Sequence, residues 1–565
     1  LKLTGADIVV RCLIDMGVKT VFGYPGGAIL NVYDSLYKHS KELQHILVRH
    51  EQGALHAADG YARVTGDVGV AIVTSGPGAT NAVTGLATAY MDSIPILCIT
   101  GQVPSQLIGN DAFQEADIVG ITRSCTKHNY LVKDIDQLAR ILREAKFIAE
   151  SGRPGPVLVD IPKDITSART EYVHDARPVE VRSYRPTMDG HIGQIRRAMG
   201  MFKQARRPLF YTGGGVILAN AASELTRFAR MIGAPVTNTL MGLGGFPASD
   251  PQFVGMLGMH GTYEANMAVS KCDLLVAIGA RFDDRVTGKI SEFAPHATIV
   301  HIDVDPTSIS KNVLVDVPIV GDTRQVLRRM IDLADDPEFQ KGLPSYEEWW
   351  NEIRTWRKQD CLRYPTQEGV IEAQFVIQKL YELTEGKAII VTDVGQHQMW
   401  AAQFYGFDEP RRWLTSGGLG TMGYGLPAAI GAQMAMPDAQ VVVISGDGSI
   451  QMNIQELATA HAYHLPVKVI VLNNGFLGMV RQWQEFFYDR RYAETVMTAT
   501  PDFRLIAEAY GAMGLQASRP EEVEPLLRQM LASDRTTIAE FHVNREANVY
   551  PMVPAGAALN EMILL

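Results

Sequence analysis

The sequence predicts an α/β protein built from three doubly wound, parallel-sheet domains. Three observations carry that reading. A chain of 565 residues is too long for one hydrophobic core. Short apolar runs alternate with helical stretches, the order that yields parallel sheets. Several of these runs end in glycine-rich turns, which is where doubly wound sheets bind ligands.

The first block, 1–175, has strand-like runs at 68–74, 94–100 and 157–161 and a helical stretch at 79–91. Beyond Asp164 a polar stretch through Ser183, Arg185 and Pro186 lacks sustained periodicity and reads as a linker near 166–190. The second block, 190–335, carries strands at 208–212, 273–278 and 299–304. A charged, Trp-rich passage at about 335–368 separates it from the third block, 368–545, and a tail follows at 546–565. The chain has no short-period repeat.

Composition narrows the function. Apolar residues make up 46% and charged residues 20%, as in a globular protein, and the net charge of −10 comes without a basic block, which argues against nucleic acid. No apolar stretch approaches membrane-spanning length, and residues 1–20 alternate like an amphipathic helix rather than a signal peptide. Cys12, Cys98, Cys125, Cys272 and Cys361 are scattered without a CxxC pair, so a reducing cytoplasm is expected; a processed organellar chain would look the same.

Chemistry concentrates first at Gly446-Asp447-Gly448-Ser449, which follows the apolar run 441–444, and at Asn473-Asn474, which closes the run 467–472. The spacing predicts strand, one helix, strand, with both oxygen ligands at one sheet edge. Backbone N–H groups of the glycine turn approach a diphosphate there, while Asp447 and Asn474 share a hard cation such as Mg²⁺. A bare Gly-Asp-Gly is an ordinary surface turn, but in these strand contexts, with the Asn pair, the pattern resembles the thiamine-diphosphate signature. Glu51 opens a helix between the turns Tyr24-Pro25-Gly26-Gly27 and Ser75-Gly76-Pro77-Gly78. Alone it is a solvated helix-start carboxylate; beside those turns it is the candidate acid that promotes the imino tautomer of the aminopyrimidine.

Ordered motifs then bring in a family. GNDAFQEAD at 109–117, SGRPGPVLVDIPK at 151–163, RFDDR at 281–285, GQHQMW at 395–400 and SGGLGTMGYGLP at 416–427 resemble the catalytic subunits of acetohydroxyacid synthase, biosynthetic acetolactate synthase, over nearly the entire chain. The resemblance implies decarboxylation of pyruvate on thiamine diphosphate and transfer of the hydroxyethyl unit to pyruvate or 2-ketobutyrate. It implies that Val394, Gly395, Gln396 and His397 line the diphosphate with Gly446, Asp447, Gly448 and Ser449. Met422 props the bent cofactor, and Mg²⁺ sits on Asp447, Asn474 and the Phe476 carbonyl. His397 by itself reads as a core residue and is assigned to binding.

The same resemblance implies FAD without net redox chemistry, held by Arg153, Gly213, Gly214, Gly215, Thr239, Leu240, Met241, Leu257, Gly258, Met259 and His260. Gly279, Ala280, Arg281, Asp283, Arg285, Asp303, Val304, Gly321, Asp322 and Gln398 complete that set. As residues alone, the triple glycine is a loop and Asp303 a strand-end acid suited to a ribose. Arg285 is expected to pair with the carboxylate of the second acid, against a plain salt bridge to Asp283 or Asp284. Gly27, Phe113, Gln114 and Lys163 are expected to reach the substrate, the last three from a partner subunit. Met479, Val480 and Trp483 share a helical face, either core or a gate on substrate size. The implied assembly is a homodimer or tetramer in which Glu51 meets the third domain of the partner, with a small regulatory subunit. A pyruvate oxidase, a glyoxylate carboligase and a non-catalytic scaffold are the rivals; RFDDR, Trp483 and Glu51 count against them.

Overall fold

The computed structural model describes residues 2–565. It contains three six-stranded sheets, each parallel throughout. Their central strands are continuous runs of buried β-branched and aliphatic residues, as expected where helices cover both faces. The covering helices bury one stripe: Ala222–Ile232 turns Leu225, Phe228, Ala229 and Ile232 inward at helical spacing.

In the first sheet the spatial order is Gln44–Leu47, Thr20–Tyr24, Gly69–Val73, Ile96–Gln102, Val157–Pro162, His128–Leu131. The chain therefore reverses direction across the sheet between Thr20–Tyr24 and Gly69–Val73. The second sheet reverses between Pro208–Thr212 and Leu274–Ile278, and the third between Ile389–Thr392 and Val441–Gly446. Loops leaving two such strands diverge and open a crevice at the carboxyl edge. Every glycine-rich turn singled out above leaves one of these strands.

Glycines also bring the first and third blocks together. Helix Glu51–Thr65 packs on Gly425–Ala435, and a Cβ at Gly60 would lie 2.0 Å from the Ala428 carbonyl oxygen, one at Gly431 1.8 Å from that of Ala57. Only glycine allows that backbone approach. Beside it, Arg63 bridges Asp59 and Asp92, and the Tyr424 hydroxyl donates to Asp59 at 2.6 Å, so the charges in this dry contact are paired.

Several expected boundaries look different in three dimensions. The stretch expected to be one helix from 79 is two, Pro77–Asn81 and Val83–Asp92. The single helix expected between Asp447 and Asn474 is two 3₁₀ turns followed by Leu457–Ala462. The stretch at 166–190 includes Arg169–Glu171, which pairs antiparallel with Lys2–Thr4. The Trp-rich passage joins the central core: Trp349 is buried and donates to the Pro208 carbonyl, and Trp350 donates to that of Gly233. Helix Glu347–Arg357 places Trp349 and Ile353 one turn apart, and that apolar face seeks a core.

The tail also packs inward. Val553 N–H donates to Met259 and Lys289 N–H to Ala557, while the Gln482 amide reaches Val549. Among the described residues no helix is long and apolar enough to cross a membrane.

Candidate functional site

At the switch point of the third sheet lies a small cavity of about 90 Å³, walled only by residues of the third block. Val394, Gly395, Gln396, His397, Met422, Gly446, Asp447, Gly448, Ser449, Asn474, Phe476, Met479 and Val480 all line it. Strand Val441–Gly446 delivers Asp447 to the edge, and strand Lys468–Asn473 delivers Asn474 beside it. Asp447 is buried, and its Oδ2 has no hydrogen-bond partner among the described residues. Burial pushes its carboxyl up to about 6, a cost that a bound cation removes. Asn474 Oδ1 accepts from Phe476 N–H at 3.0 Å and has a second lone pair to offer.

The groups present fit a diphosphate carried by a hard cation. Helix Gln396–Phe404 starts at the cavity without a side-chain cap, so its first N–H groups are open to an anion. His397 is buried, its Nε2 likewise lacks a partner among the described residues, and burial lowers it to about 3, so the ring is neutral. That supports a binding role over proton transfer. Ser449 Oγ donates to the Val394 carbonyl at 3.0 Å and ties the two turns together. No cluster of three His, Cys, Asp or Glu exists among the described residues, so a cation must draw on amide, carbonyl and phosphate oxygens, the ligand set Mg²⁺ accepts.

The corresponding edge of the first sheet holds Glu51 at the start of its helix. It is nearly buried and accepts a hydrogen bond from Asn81 at 3.0 Å. Gly78 is required there, since a Cβ would lie 3.2 Å from Glu51 Oε1 and 2.7 Å from Thr74 Cγ2. Gly27 faces open space, Lys163 is exposed at the end of strand Val157–Pro162, and Phe113 is 88% exposed. Within one chain these residues share an edge of the first block but do not wall the Asp447 cavity.

Arg285 and Trp483, from different blocks, meet: the guanidinium carbon stands 5.7 Å from the indole centroid. Arg285 is largely exposed, its nearest carboxylate contact is a long 3.8 Å to Asp284, and Asp283 instead accepts from its backbone N–H. The guanidinium therefore keeps donors for a ligand. Trp483 lies one turn after Met479 on helix Gly478–Phe487, whose first residues line the cavity.

The second sheet's switch point opens on a separate cavity of about 440 Å³. Arg153, Gly214, Gly215, Met241, Gly279, Arg281, Asp303, Val304 and Asp322 line it. The glycines are steric necessities, because a Cβ at Gly213 would sit 2.3 Å from the Gly279 carbonyl oxygen and one at Gly215 2.6 Å from Gly279 Cα. With two guanidiniums beside a bare backbone turn and an acid at the strand end, the site fits a dinucleotide.

Other members of that set have structural partners. Thr239 caps Gly242, Asp283 caps Arg285 and Asp322 caps Gln325. Ala280 abuts Gly213, Gly321 packs on Gly190, and Leu240 accepts from the Trp413 indole. Leu257, Gly258, Met259 and His260 follow strand Phe253–Met256, where His260 Nδ1 lies 3.0 Å from the Pro551 carbonyl oxygen. Gln398 donates to Thr415 at 2.7 Å.

Sequence reasoning passed over several residues that hold this site. Asp393, fully buried, accepts from Gly425 N–H and the Ser445 hydroxyl and fixes the strand ends around the cavity. Trp400 and Leu477 line it. Glu456 accepts from the N–H groups of Arg49 and His50, anchoring the residues just before Glu51 to the third block. Asp393 directly precedes Val394-Gly395 at a strand end, a legible signal; Glu456 carried none, since its partners lie some four hundred positions away.

A cation and diphosphate cradle at one doubly wound edge, with an acid at the matching edge of another, defines a thiamine-diphosphate-binding class of protein. Models of the thiamine pyrophosphate enzymes match the chain three times: the N-terminal TPP binding domain at residues 3–121, the central domain at 195–330 and the C-terminal TPP binding domain at 393–541. The acetolactate synthase isozyme 3 large subunit of Escherichia coli (strain K12) is 52% identical over 567 residues, covering 100% of this chain and 98% of that protein. The acetolactate synthase large subunit of Haemophilus influenzae is 50% identical, with 100% and 98% covered. An acetolactate synthase of Mycobacterium leprae is also 50% identical, with 99% and 90% covered. The chain belongs to the acetolactate synthase large-subunit family of thiamine pyrophosphate enzymes.

Proposed function

We propose that the chain is an acetohydroxyacid synthase: it releases CO₂ from pyruvate and joins the remaining two-carbon unit to pyruvate or 2-ketobutyrate. The products are 2-acetolactate and 2-aceto-2-hydroxybutyrate, the entry to branched-chain amino acids. One observation carries the reading. The unpaired Asp447 oxygen, Asn474 and the open start of helix Gln396–Phe404 converge on one cavity, and the helix Gly478–Phe487 runs from that cavity to the Arg285 and Trp483 contact.

Thiamine diphosphate, when bound, supplies the electron sink that decarboxylation needs. Asp447, Asn474 and the Phe476 carbonyl would hold Mg²⁺, and Gln396, His397 and Ser449 would orient the diphosphate. Glu51 of a partner subunit would be the acid whose carboxyl promotes the imino tautomer of the aminopyrimidine. Arg285 pairs with the carboxylate of the second keto acid by two parallel N–H donors, which fixes its orientation. Trp483, with Met479 and Val480, limits its size. Gly27 reaches the substrate, and Phe113, Gln114 and Lys163 close the site from the partner. FAD would be held in the central cavity by Arg153, Gly215, Arg281 and Asp303, without net electron transfer.

A cradle walled by one block and an acid elsewhere support a homodimer or tetramer. Relatives described as large subunits support a small regulatory partner. Five free thiols support a reducing cytoplasm. The test is product formation from pyruvate under strict anaerobiosis, with thiamine diphosphate, Mg²⁺ and FAD added. Acetolactate at the aerobic rate is expected; bleaching of the flavin by pyruvate, or a need for oxygen, would move the assignment to a pyruvate oxidase.

A further inference from the structure

We propose that Gln102 is a positioning residue: its amide clasps both ends of the loop 103–116 and so holds Phe113 and Gln114 at the active site. The inference rests on the reading of that loop as part of the site.

The loop is fourteen residues long and contains only the 3₁₀ turn Ser105–Leu107. Loops of this length without structure of their own need something to fix them. Gln102 ends strand Ile96–Gln102, is 4% exposed, and uses its whole amide. Its Oε1 accepts from Val103 N–H at 2.9 Å, and its Nε2 donates to the Ala116 carbonyl at 2.9 Å and to Asp160 Oδ2 at 2.9 Å. The first and last residues of the loop are thus tied to one side chain. Asp160, itself buried, takes a further hydrogen bond from Thr100 at 2.7 Å and keeps the amide from turning.

Beyond the clasp, internal ties set the shape of the loop. Glu115 accepts from Gly109 and Ala112 N–H groups, and Asp164, next to Lys163, accepts from Ser105 N–H at 2.9 Å. At the tip, Asp111 and Gln114 have φ of 52° and 59°, conformations that persist only where surroundings impose them. What imposes the second is contact: a Cβ at Gly76 would lie 2.7 Å from the Gln114 carbonyl oxygen. Gly76 belongs to the turn whose Gly78 abuts Glu51. A continuous line of contacts therefore runs from the clasp to the acid that the reaction requires.

Two variants test this in the full chain saturated with thiamine diphosphate and Mg²⁺. Gln102→Met keeps the length but removes all three hydrogen bonds. Gln102→Asn keeps an amide but is too short to reach both loop ends, and serves if the first variant does not fold. Amide hydrogen exchange across 103–116 is expected to quicken by roughly tenfold or more, with the strands Gly69–Val73 and Val157–Pro162 unchanged. The ratio kcat/KM for pyruvate is expected to fall by about tenfold to 100-fold, as for a small misplacement of positioning groups, while thiamine-diphosphate affinity stays within about twofold. Unchanged loop exchange, or faster exchange in the strands to the same degree, would overturn the clasp. Faster loop exchange with unchanged kinetics would overturn the positioning role and leave the clasp, which separates this failure from absence of synthase activity in the wild-type chain.

Discussion

The first and third sheets have the same topology and opposite finish. Both reverse strand order between the second and third strands of the sheet, and both send glycine-rich turns off the carboxyl edge. At the third edge the polar groups are buried and unsatisfied, Asp447 Oδ2 and His397 Nε2 facing a walled cavity. At the first edge Glu51 already has Asn81, and Tyr24, Leu107 and Phe113 of the same block are exposed. An edge with orphaned polar atoms is a ligand site in itself, because those atoms are costly until a ligand supplies partners. An edge with exposed aromatics and a satisfied acid has no such unmet demand of its own.

The sharpest way to break this contrast is to remove chemistry from one edge and binding from the other. Glu51→Gln keeps volume but not the carboxyl, so turnover should fall by about 100- to 10,000-fold while cofactor still binds. Hydrogen–deuterium exchange at the cofactor's C2 reports the step directly, and a wild-type exchange rate would remove Glu51 from the mechanism. Asp447→Ala should do the converse, lowering thiamine-diphosphate affinity by roughly 100-fold with the fold retained, since even outer partners of metal sites are worth about 10- to 100-fold. Titration of cofactor at fixed Mg²⁺ checks it. Wild-type affinity would mean that the cavity is not the diphosphate site.

Smaller effects sharpen the contrast. Trp483→Ala should lower the preference for 2-ketobutyrate over pyruvate by roughly tenfold, since one methylene in an apolar pocket is worth about 1–3 kcal/mol. A competition assay reading both products would show it; equal loss of both would leave Trp483 as packing. The least effect belongs to stability. Burial pushes the Asp160 carboxyl up to about 7 from its usual 3.8.

The folded chain holds that proton more tightly than the unfolded chain. This group's stabilisation is therefore complete below about pH 4 and is lost as pH rises to about 7, at up to about 1.4 kcal/mol per unit. Asp160→Asn removes that slope, so the variant should gain on wild type in urea midpoint between those limits. A constant difference across the window would show that Asp160 ionises freely in the folded chain.

How much was legible depends on how local the cause is. Strand Pro208–Thr212 forms where the residues predicted it, and the edges at Gly213, Asp303, Asp447 and Asn474 fall at strand ends. Apolar runs and glycine turns act over a few residues, so the sequence reveals them. The helix expected from 79 breaks at Ala82, and the Trp-rich passage packs on the central core rather than standing apart, because packing overrides local pattern.

The sequence alone was enough for three parallel α/β blocks, for Asp447 and Asn474 at neighbouring strand ends, and for Glu51 at a helix start between two glycine turns. Only the tertiary structure showed that Arg285 lies over Trp483, that Glu456 anchors the residues before Glu51, and that Gln102 reaches Asp160. The physical reason is range. Hydrophobic period and turn chemistry are set by neighbours along the chain, whereas these contacts join residues that only the packing of whole sheets and helices brings within a few ångströms.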